Sequence, residues 1–180
     1  RDKKDQAISI WARGTERDRD TYYRNITYFV PHDVQGLANF MGGNKQLEEH
    51  LDYFFANEYY YVGDEFSMHS PYLYNYIGAA WKTQKLIREL IDNNFTNEFG
   101  GLPGNEDCGQ LSAWYIFGAM GFYPTCPGVP SYQIGSPSFE KVTMNLPNGK
   151  TFEVIANNNS KENVYIQSAT LNGKPYTKSW

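Results

Sequence analysis

The chain changes its hydrophobic pattern once, near Pro124, and this switch constrains the fold more than any other feature. Before Pro124, apolar residues recur every three or four positions, as on one face of a helix. After it, a proline-rich stretch leads into short strand-like segments separated by turn residues. Because helices come first and antiparallel strands last, the sequence predicts an α+β fold or two segregated parts, and not a βαβ sheet.

Helix start and stop signals give the approximate bounds of the helices. Asp33 is a predicted N-cap for a helix that ends at Gly42 and Gly43, and Asn44 is predicted to cap the next helix. In that second helix, apolar residues fall on one face: Leu47, Leu51, Phe54 and Phe55. Further helices are predicted over residues 71–77, 81–91 and about 110–120.

Three strands are predicted in the last third of the chain, over residues 141–146, 151–156 and 163–169. Residues 147–149 (Pro-Asn-Gly) form the predicted turn between the first two strands, and Asn172-Gly173 a hairpin turn after the third. We therefore divide the chain into a charged lead-in of unassigned structure (1–26), a helical part (27–123) and a β part (124–180).

Composition excludes several classes of protein. With 180 residues the chain is one ordinary domain or two small ones. A net charge of −4 without a basic stripe argues against a nucleic-acid binder, and no run approaches the ~20 apolar residues of a membrane span. Cys108 and Cys126 form one disulfide or none, and neither has the spacing of a zinc site. Arg1 in place of a methionine suggests an internal fragment or a processed chain.

Three loops concentrate acids beside glycines or helix starts. In residues 104–110, Glu106 and Asp107 precede a helix, where a carboxylate either caps the helix or serves as a base. In residues 63–71, Asp64 and Glu65 are either oxygen ligands for calcium or ordinary exposed acids. The third loop holds the pair His32 and Asp33, but three histidines in the whole chain are too few for a metal phosphohydrolase centre.

These loops lie within four longer blocks of sequence. In chain order they read FVPHDVQGL with MGG (29–37, 41–43); GDEFSMH with PYLYNY and WKTQK (63–69, 71–76, 81–85); LPGNEDCGQLSAWY (102–115); and YQIGSP with YIQSATLNGK (132–137, 165–174). Together they resemble glycoside hydrolase family 92, a family of calcium-dependent exo-α-mannosidases. The resemblance runs from about Tyr28 to Trp180 in the family's order.

The resemblance implies an architecture. Members of the family join an N-terminal β-sandwich to an (α/α)6 barrel, with the active site between them. By that likeness, this chain holds the last helices of the barrel followed by the short antiparallel strands of a C-terminal, β-sandwich-like part. It also implies that the remaining N-terminal part of the enzyme is the partner of this chain, and that the isolated piece is inactive because half of the pocket is absent.

The resemblance also implies catalytic roles. The family hydrolyses terminal α-linked mannose with inversion, as in α-1,2-mannosidases, which requires a general acid and a general base. By motif position Asp107 is the base, with Glu106 and Asn105 beside it, and the family often has an acid where Asn105 stands. The family's general acid is a glutamate shortly before the VPHD block, and counting back without gaps reaches Asp20.

Calcium and substrate contacts follow from the same likeness. Calcium would bind the 2- and 3-hydroxyls of mannose, with Glu65 as its side-chain ligand. The residues implied in contacts with a mannose-containing glycan are His32, Asp33, Asp64, His69, Trp81 and Asn105. Because family members act outside the cytoplasm, the resemblance implies a periplasmic or secreted protein.

A different class of function remains open on the sequence alone. In a non-catalytic carbohydrate-binding or structural module, the aromatic residues, which make up 17% of the chain, would stack on sugars or fill the core. The acids would then only cap helices.

Overall fold

The computed structural model describes residues 23–180. Residues 23–27 are helical and lead into five further helices, with two 3-10 turns at Glu65–Ser67 and Ser70–Tyr72. The helices are α1 (Val34–Phe40), α2 (Asn44–Ala56), α3 (Leu73–Tyr76), α4 (Ala80–Asn94) and α5 (Gln110–Met120). The predicted order of helices followed by antiparallel strands is confirmed.

The predicted helix ends are correct at α1 and wrong at the start of α2. The Asp33 carboxylate accepts a hydrogen bond from the Gly36 N–H at 2.8 Å and caps α1, as predicted. Asn44 does not cap α2, because the N-cap residue is Gly43 and the Asn44 side chain instead accepts a hydrogen bond from Gln35. At the other end of the helical part, Gly121 takes a left-handed conformation (φ 97°) and ends α5.

Two hydrophobic cores hold the helices together. The first joins α1 and α2 to α3, and its fully buried residues include Leu47, Leu51 and Leu73. The second joins α4 to α5 around Trp114 and Ile87, both with no exposed surface. The predicted apolar face of α2 is thus its buried face, and α4 likewise buries Ile87 and Ile91, as expected for amphipathic helices.

The strands form three separate antiparallel pairs. Their members are β1 (Phe122–Tyr123) with β2 (Gln133–Ile134), β3 (Lys141–Asn145) with β4 (Thr151–Ile155), and β5 (Ala169–Leu171) with β6 (Lys174–Tyr176). Both predicted turns are confirmed, since residues 146–150 join β3 to β4 and Asn172-Gly173 joins β5 to β6. The strand predicted over 163–169 is wrong, because residues 163–168 pair with no strand.

Polar side chains of α4 and α3 fasten the β part to the helices. Arg88, 7% exposed, donates hydrogen bonds to Pro137 O, Asn159 Oδ1 and Ser160 O. The buried Asn75 amide donates to main-chain carbonyls near both ends of the β part, at Ile134 and Ser179.

None of the helices within residues 23–180 has both the length and the apolar character that a membrane span requires.

Candidate active site

The two acidic loops lie against each other through a pair of glycines. A Cβ atom built on Gly104 would lie 2.4 Å from the Cα of Gly63, and one built on Gly63 would lie 2.7 Å from the Cα of Gly104. No side chain fits at either position, so the two backbones are in direct contact. Glycine has no side chain, so it allows two backbones to approach this closely. This contact brings the segment of Asp64 and Glu65 beside the segment of Glu106 and Asp107.

Hydrogen bonds across the loops secure this arrangement. The Tyr61 hydroxyl donates to the Pro103 carbonyl, one residue before Gly104. The buried Trp114 indole donates from Nε1 to the Met68 carbonyl at 2.8 Å and so links α5 to the Glu65–Ser67 turn. Ser67 Oγ in turn donates to the Asp64 carbonyl at 2.7 Å. The loops are therefore held by hydrogen bonds from the side chains of Tyr61, Ser67 and Trp114 to main-chain carbonyls.

Asp107 occupies an unusual backbone conformation. Asp107, Cys108 and Gly109 have φ values of 41°, 60° and 88°, so three consecutive residues are left-handed. This region is unfavourable for most side chains, although aspartate tolerates it better than bulky residues. The turn leaves Asp107 exposed, and within the described residues no hydrogen bond holds its carboxylate. The carboxylate is thus free to accept a proton from a ligand or a water molecule.

Glu106, and not Asp107, stabilises the start of α5. Its carboxylate accepts hydrogen bonds from the Ser112 hydroxyl at 3.0 Å and, more weakly, from the Ser112 N–H at 3.4 Å. The N-cap residue is Gly109, which makes no side-chain capping bond. The interpretation of Asp107 as a helix cap is therefore wrong. Of the two adjacent acids, one is engaged by the helix and the other is free.

Asp64 lies in the electrostatic field of Asp107. Partial burial raises the pKa of the Asp64 carboxyl, and the negative charge of Asp107 raises it further. Two carboxylates from loops more than 40 positions apart in the sequence are thus close enough to influence each other. Such pairs occur where chemistry requires concentrated negative charge, or where a cation or a ligand hydroxyl bridges the loops.

Glu65 has an unsatisfied buried oxygen. Its Oε1 atom is inaccessible to solvent and has no hydrogen-bond partner among the described residues. An unpaired buried carboxylate oxygen is costly, and binding a hard cation would satisfy it. Within residues 23–180, no three histidine, cysteine, aspartate or glutamate side chains are grouped to hold a metal ion. A cation here would therefore need main-chain or ligand oxygens besides Glu65.

His69 joins the third predicted loop to the other two. It is 4% exposed, its Nε2 lies 2.7 Å from the Tyr28 carbonyl, and its ring packs edge-on against Phe29. Burial lowers the pKa of His69, and the bond to Tyr28 opposes that shift. His32 and Asp33 are exposed at the end of the same loop. His69 thus fastens the segment carrying these residues to the segment carrying Glu65.

Comparison with known proteins identifies the family of this chain. The family model of the glycosyl hydrolase family 92 catalytic domain matches residues 5–180. The chain belongs to glycosyl hydrolase family 92. An "uncharacterized secreted glycosidase" of Arthroderma benhamiae is 40% identical over 179 residues, which cover 96% of this chain and 23% of that protein.

Solved family 92 structures share the fold. A family 92 alpha-mannosidase from Bacteroides thetaiotaomicron matches with a TM-score of 0.83 and 42% identity, over 87% of this chain and 22% of that one. An inverting family 92 mannosidase from Bacteroides thetaiotaomicron VPI-5482 matches with a TM-score of 0.79 and 40% identity, over 87% and 24%. The chain thus spans about a quarter of the length of these relatives.

The remaining predicted site residues of this family 92 chain are Trp81, Asn105 and Asp20. Trp81 is 53% exposed at the start of α4, whereas the far end of α4 packs beside Trp114 through Phe95. The Trp81 ring packs edge-on against the ring of Tyr165 in the β part. Asn105 is exposed in the Asp107 loop, and Asp20 lies outside the described residues.

The residues that join the two acidic loops of this family 92 chain were not predicted from the sequence. Tyr61 and the pairing of Gly63 with Gly104 carry no motif of their own, and Trp114 was predicted only as part of a helix. The one available signal was that each acidic pair follows a glycine by one or two residues. The same structure shows Cys108 and Cys126 as free thiols, which resolves the alternative of one disulfide or none.

Proposed function

We propose that the chain is part of an inverting, calcium-dependent exo-α-mannosidase that removes terminal α-1,2-linked mannose from glycans. The observation that supports it best is the contact of Gly63 with Gly104, which sets Asp64 beside Asp107 next to the unsatisfied Glu65 oxygen. The likeness to solved family 92 mannosidases, one of them described as inverting, gives the reaction class.

In this proposal Asp107 is the general base. Inversion requires a carboxylate that removes a proton from water on the face of the sugar opposite the leaving group. The Asp107 carboxylate is exposed and accepts no hydrogen bond within the described residues, whereas the Glu106 carboxylate is engaged by Ser112. We therefore assign base activation of water to Asp107 and support of the α5 start to Glu106. Asp64 and Asn105, on the two facing loops, would orient sugar hydroxyls.

Glu65 would hold the calcium ion. Its buried, unpartnered Oε1 supplies one hard oxygen ligand, and the remaining ligands would be main-chain carbonyls and the 2- and 3-hydroxyls of mannose. Bound there, calcium would supply a positive charge that fixes the sugar hydroxyls and favours a distorted ring. Among the chain's other residues, His32 and Asp33 would contact substrate from the loop that His69 fastens beside Glu65.

The rest of the pocket would come from polypeptide outside this chain. We propose that residues 27–123 are the last helices of an (α/α)6 barrel and that residues 124–180 begin a C-terminal β-sandwich-like part. The remaining N-terminal part would complete the sugar pocket, and the general acid would be Asp20 or a residue of that part. The secreted relative supports action outside the cytoplasm, on a mannose-containing glycan.

Replacing Asp107 tests the proposal. In the full-length protein, Asp107→Asn should lower kcat on α-1,2-mannobiose by at least about 1,000-fold, because amide nitrogen and oxygen cannot take the proton of water. Asp92→Asn, which changes an exposed aspartate of α4, is the matched control and should leave kcat unchanged. Near-normal turnover by Asp107→Asn, with unchanged folding by circular dichroism, would reject Asp107 as the base.

Two further measurements test the reaction and the division of the pocket. Proton NMR of the first product should show β-mannose, the anomer expected from inversion of an α-linkage. The 180-residue chain assayed beside the full-length protein should show no measurable turnover. Release of α-mannose would contradict the inverting mechanism. Comparable activity of the two proteins would contradict the proposal that the rest of the pocket lies outside this chain.

A further inference from the structure

We propose that Tyr61 is a positioning residue of this site, whose hydroxyl, bonded to Pro103, fixes the Asp107 loop against the loop of Asp64 and Glu65. The inference rests on the proposed function, in which these two loops act on one sugar. Tyr61 takes no part in proton transfer at Asp107 or Asp64. It acts through the backbone that carries Asp107.

Tyr61 is itself fixed on both sides of its main chain. Its N–H donates to Asn25 Oδ1 at 3.3 Å, and its carbonyl accepts from the Ser67 hydroxyl. Asn25 is 1% exposed and donates from Nδ2 to the Tyr59 carbonyl at 2.7 Å. Because both flanks are anchored in buried structure, the phenol ring projects from a fixed point. Its hydroxyl can therefore hold a second segment of the chain in place.

The partner is the loop that leads to Asp107. Pro103 directly precedes Gly104, so the hydroxyl of Tyr61 donates its hydrogen bond to the main chain next to the point where the two loops touch. The ring lies over Gly63, since a Cβ atom on Gly63 would lie 2.7 Å from both Cζ and the hydroxyl oxygen of Tyr61. The phenol thus spans from one side of the glycine contact to the other.

The chemistry of the hydroxyl suits this task. Partial burial raises the pKa of Tyr61, and the charge of Asp64 raises it further, so the phenol stays protonated and remains a donor at neutral pH. Tyr61 is also 42% exposed, so removing one oxygen from it leaves no cavity in a core. Tyr61→Phe therefore removes the bond to Pro103 with little other change to the fold.

Loss of this bond should affect the chemical step more than binding. Glycine-to-glycine contact supplies no directional bond of its own, so without the hydroxyl the Asp107 loop would be held mainly through α5. A displacement of about 1 Å in a reacting group can cost about 100-fold in rate. Asp107 takes its proton in the transition state, whereas the bound sugar is held by several groups. The effect should therefore appear in kcat and not in KM.

The test compares Tyr61→Phe with Tyr53→Phe in the full-length protein. Tyr53 is an exposed tyrosine on α2 whose ring packs against Tyr59, and among the described residues its hydroxyl makes no hydrogen bond to either loop. On α-1,2-mannobiose we expect Tyr61→Phe to lower kcat about tenfold, with KM within about twofold, and Tyr53→Phe to change neither. Hydrogen exchange measured by mass spectrometry should be faster in residues 103–109 of Tyr61→Phe and unchanged in peptides from α2.

The outcomes separate this inference from the proposed function. Wild-type kcat in Tyr61→Phe overturns the positioning role, and so does a loss of activity explained entirely by a smaller folded fraction. Unchanged exchange in residues 103–109 also overturns it, and this readout does not depend on catalysis. If Asp107→Asn stays active while hydrogen exchange is faster in Tyr61→Phe, the proposed function is wrong. The role of Tyr61 in holding the two loops together is then still supported.

Discussion

The indole of Trp114 donates a hydrogen bond from Nε1 to the main-chain carbonyl of Met68 at 2.8 Å, across 46 positions of the chain. Both residues are buried, and Trp114 also stacks on Phe95 with ring centroids 5.8 Å apart. One side chain thus links three segments: α5, the end of α4 and the loop that carries Asp64 and Glu65. The candidate site depends on this link because α5 begins just after Asp107.

Trp114→Phe should destabilise the protein. The change leaves the Met68 carbonyl without its donor and opens space in the core, which together should cost about 2–4 kcal/mol of unfolding free energy. Urea unfolding followed by circular dichroism measures the loss. Trp81→Phe is the control, because Trp81 is 53% exposed, and it should change the free energy by less than about 0.5 kcal/mol. Equal effects of the two substitutions would contradict the assigned role of Trp114.

Arg88→Met should loosen the β part from the helices. Methionine approximates the length of the side chain but donates none of the bonds to Pro137, Asn159 and Ser160. Loss of these three hydrogen bonds should lower the free energy of unfolding by about 2–3 kcal/mol after the structure relaxes. Hydrogen exchange should rise in residues 156–168 before it rises in α5. Equal protection from hydrogen exchange in both regions would show that Arg88 does not hold the β part to the helices.

His69 should make stability depend on pH on the acid side. Burial lowers the pKa of His69 in the folded protein below its ordinary value of 6.5, so unfolding takes up a proton. The stability that the protein gains from the neutral His69 ring is fully present above about pH 6.5. It decreases as the pH falls toward the lowered pKa of His69 in the folded state. In His69→Gln, the melting temperature should therefore fall less between pH 7 and pH 5 than in the wild type. His50→Gln, at an exposed histidine, should keep the wild-type slope.

Glu65→Gln should separate calcium binding from folding. The substitution removes a charge whose Oε1 is buried and unpaired, so the calcium-free protein should melt at the same temperature or higher. It should also weaken calcium binding, so that saturating calcium raises the melting temperature less than in the wild type. Calorimetric titration should show at least about tenfold weaker binding, and Glu98→Gln serves as an exposed control. Wild-type calcium affinity in Glu65→Gln would remove Glu65 from the proposed site.

Local sequence signals determined much of the helical part of this protein. Asp33 caps α1 through a hydrogen bond three residues away, and Gly121 ends α5 in a conformation that glycine adopts without strain. The bounds of α5 and the hairpin turn at Asn172-Gly173 follow from equally short-range preferences. The blocks of residues that carry the family resemblance are likewise contiguous in sequence. Each of these features depends on neighbours within a few residues.

Only the tertiary structure decided which of these segments meet. Residues 163–168 look like a strand, but the Gln84 side chain on α4 takes the Ile166 N–H that a strand partner would need. Trp81 carries part of the family's pattern, and its ring packs against Tyr165, 84 positions further along the chain. Gly63 and Gly104 come into contact across 41 positions because no side chain keeps their backbones apart. Contacts at such separations arise from packing of the whole chain, which periodicity and capping signals do not encode.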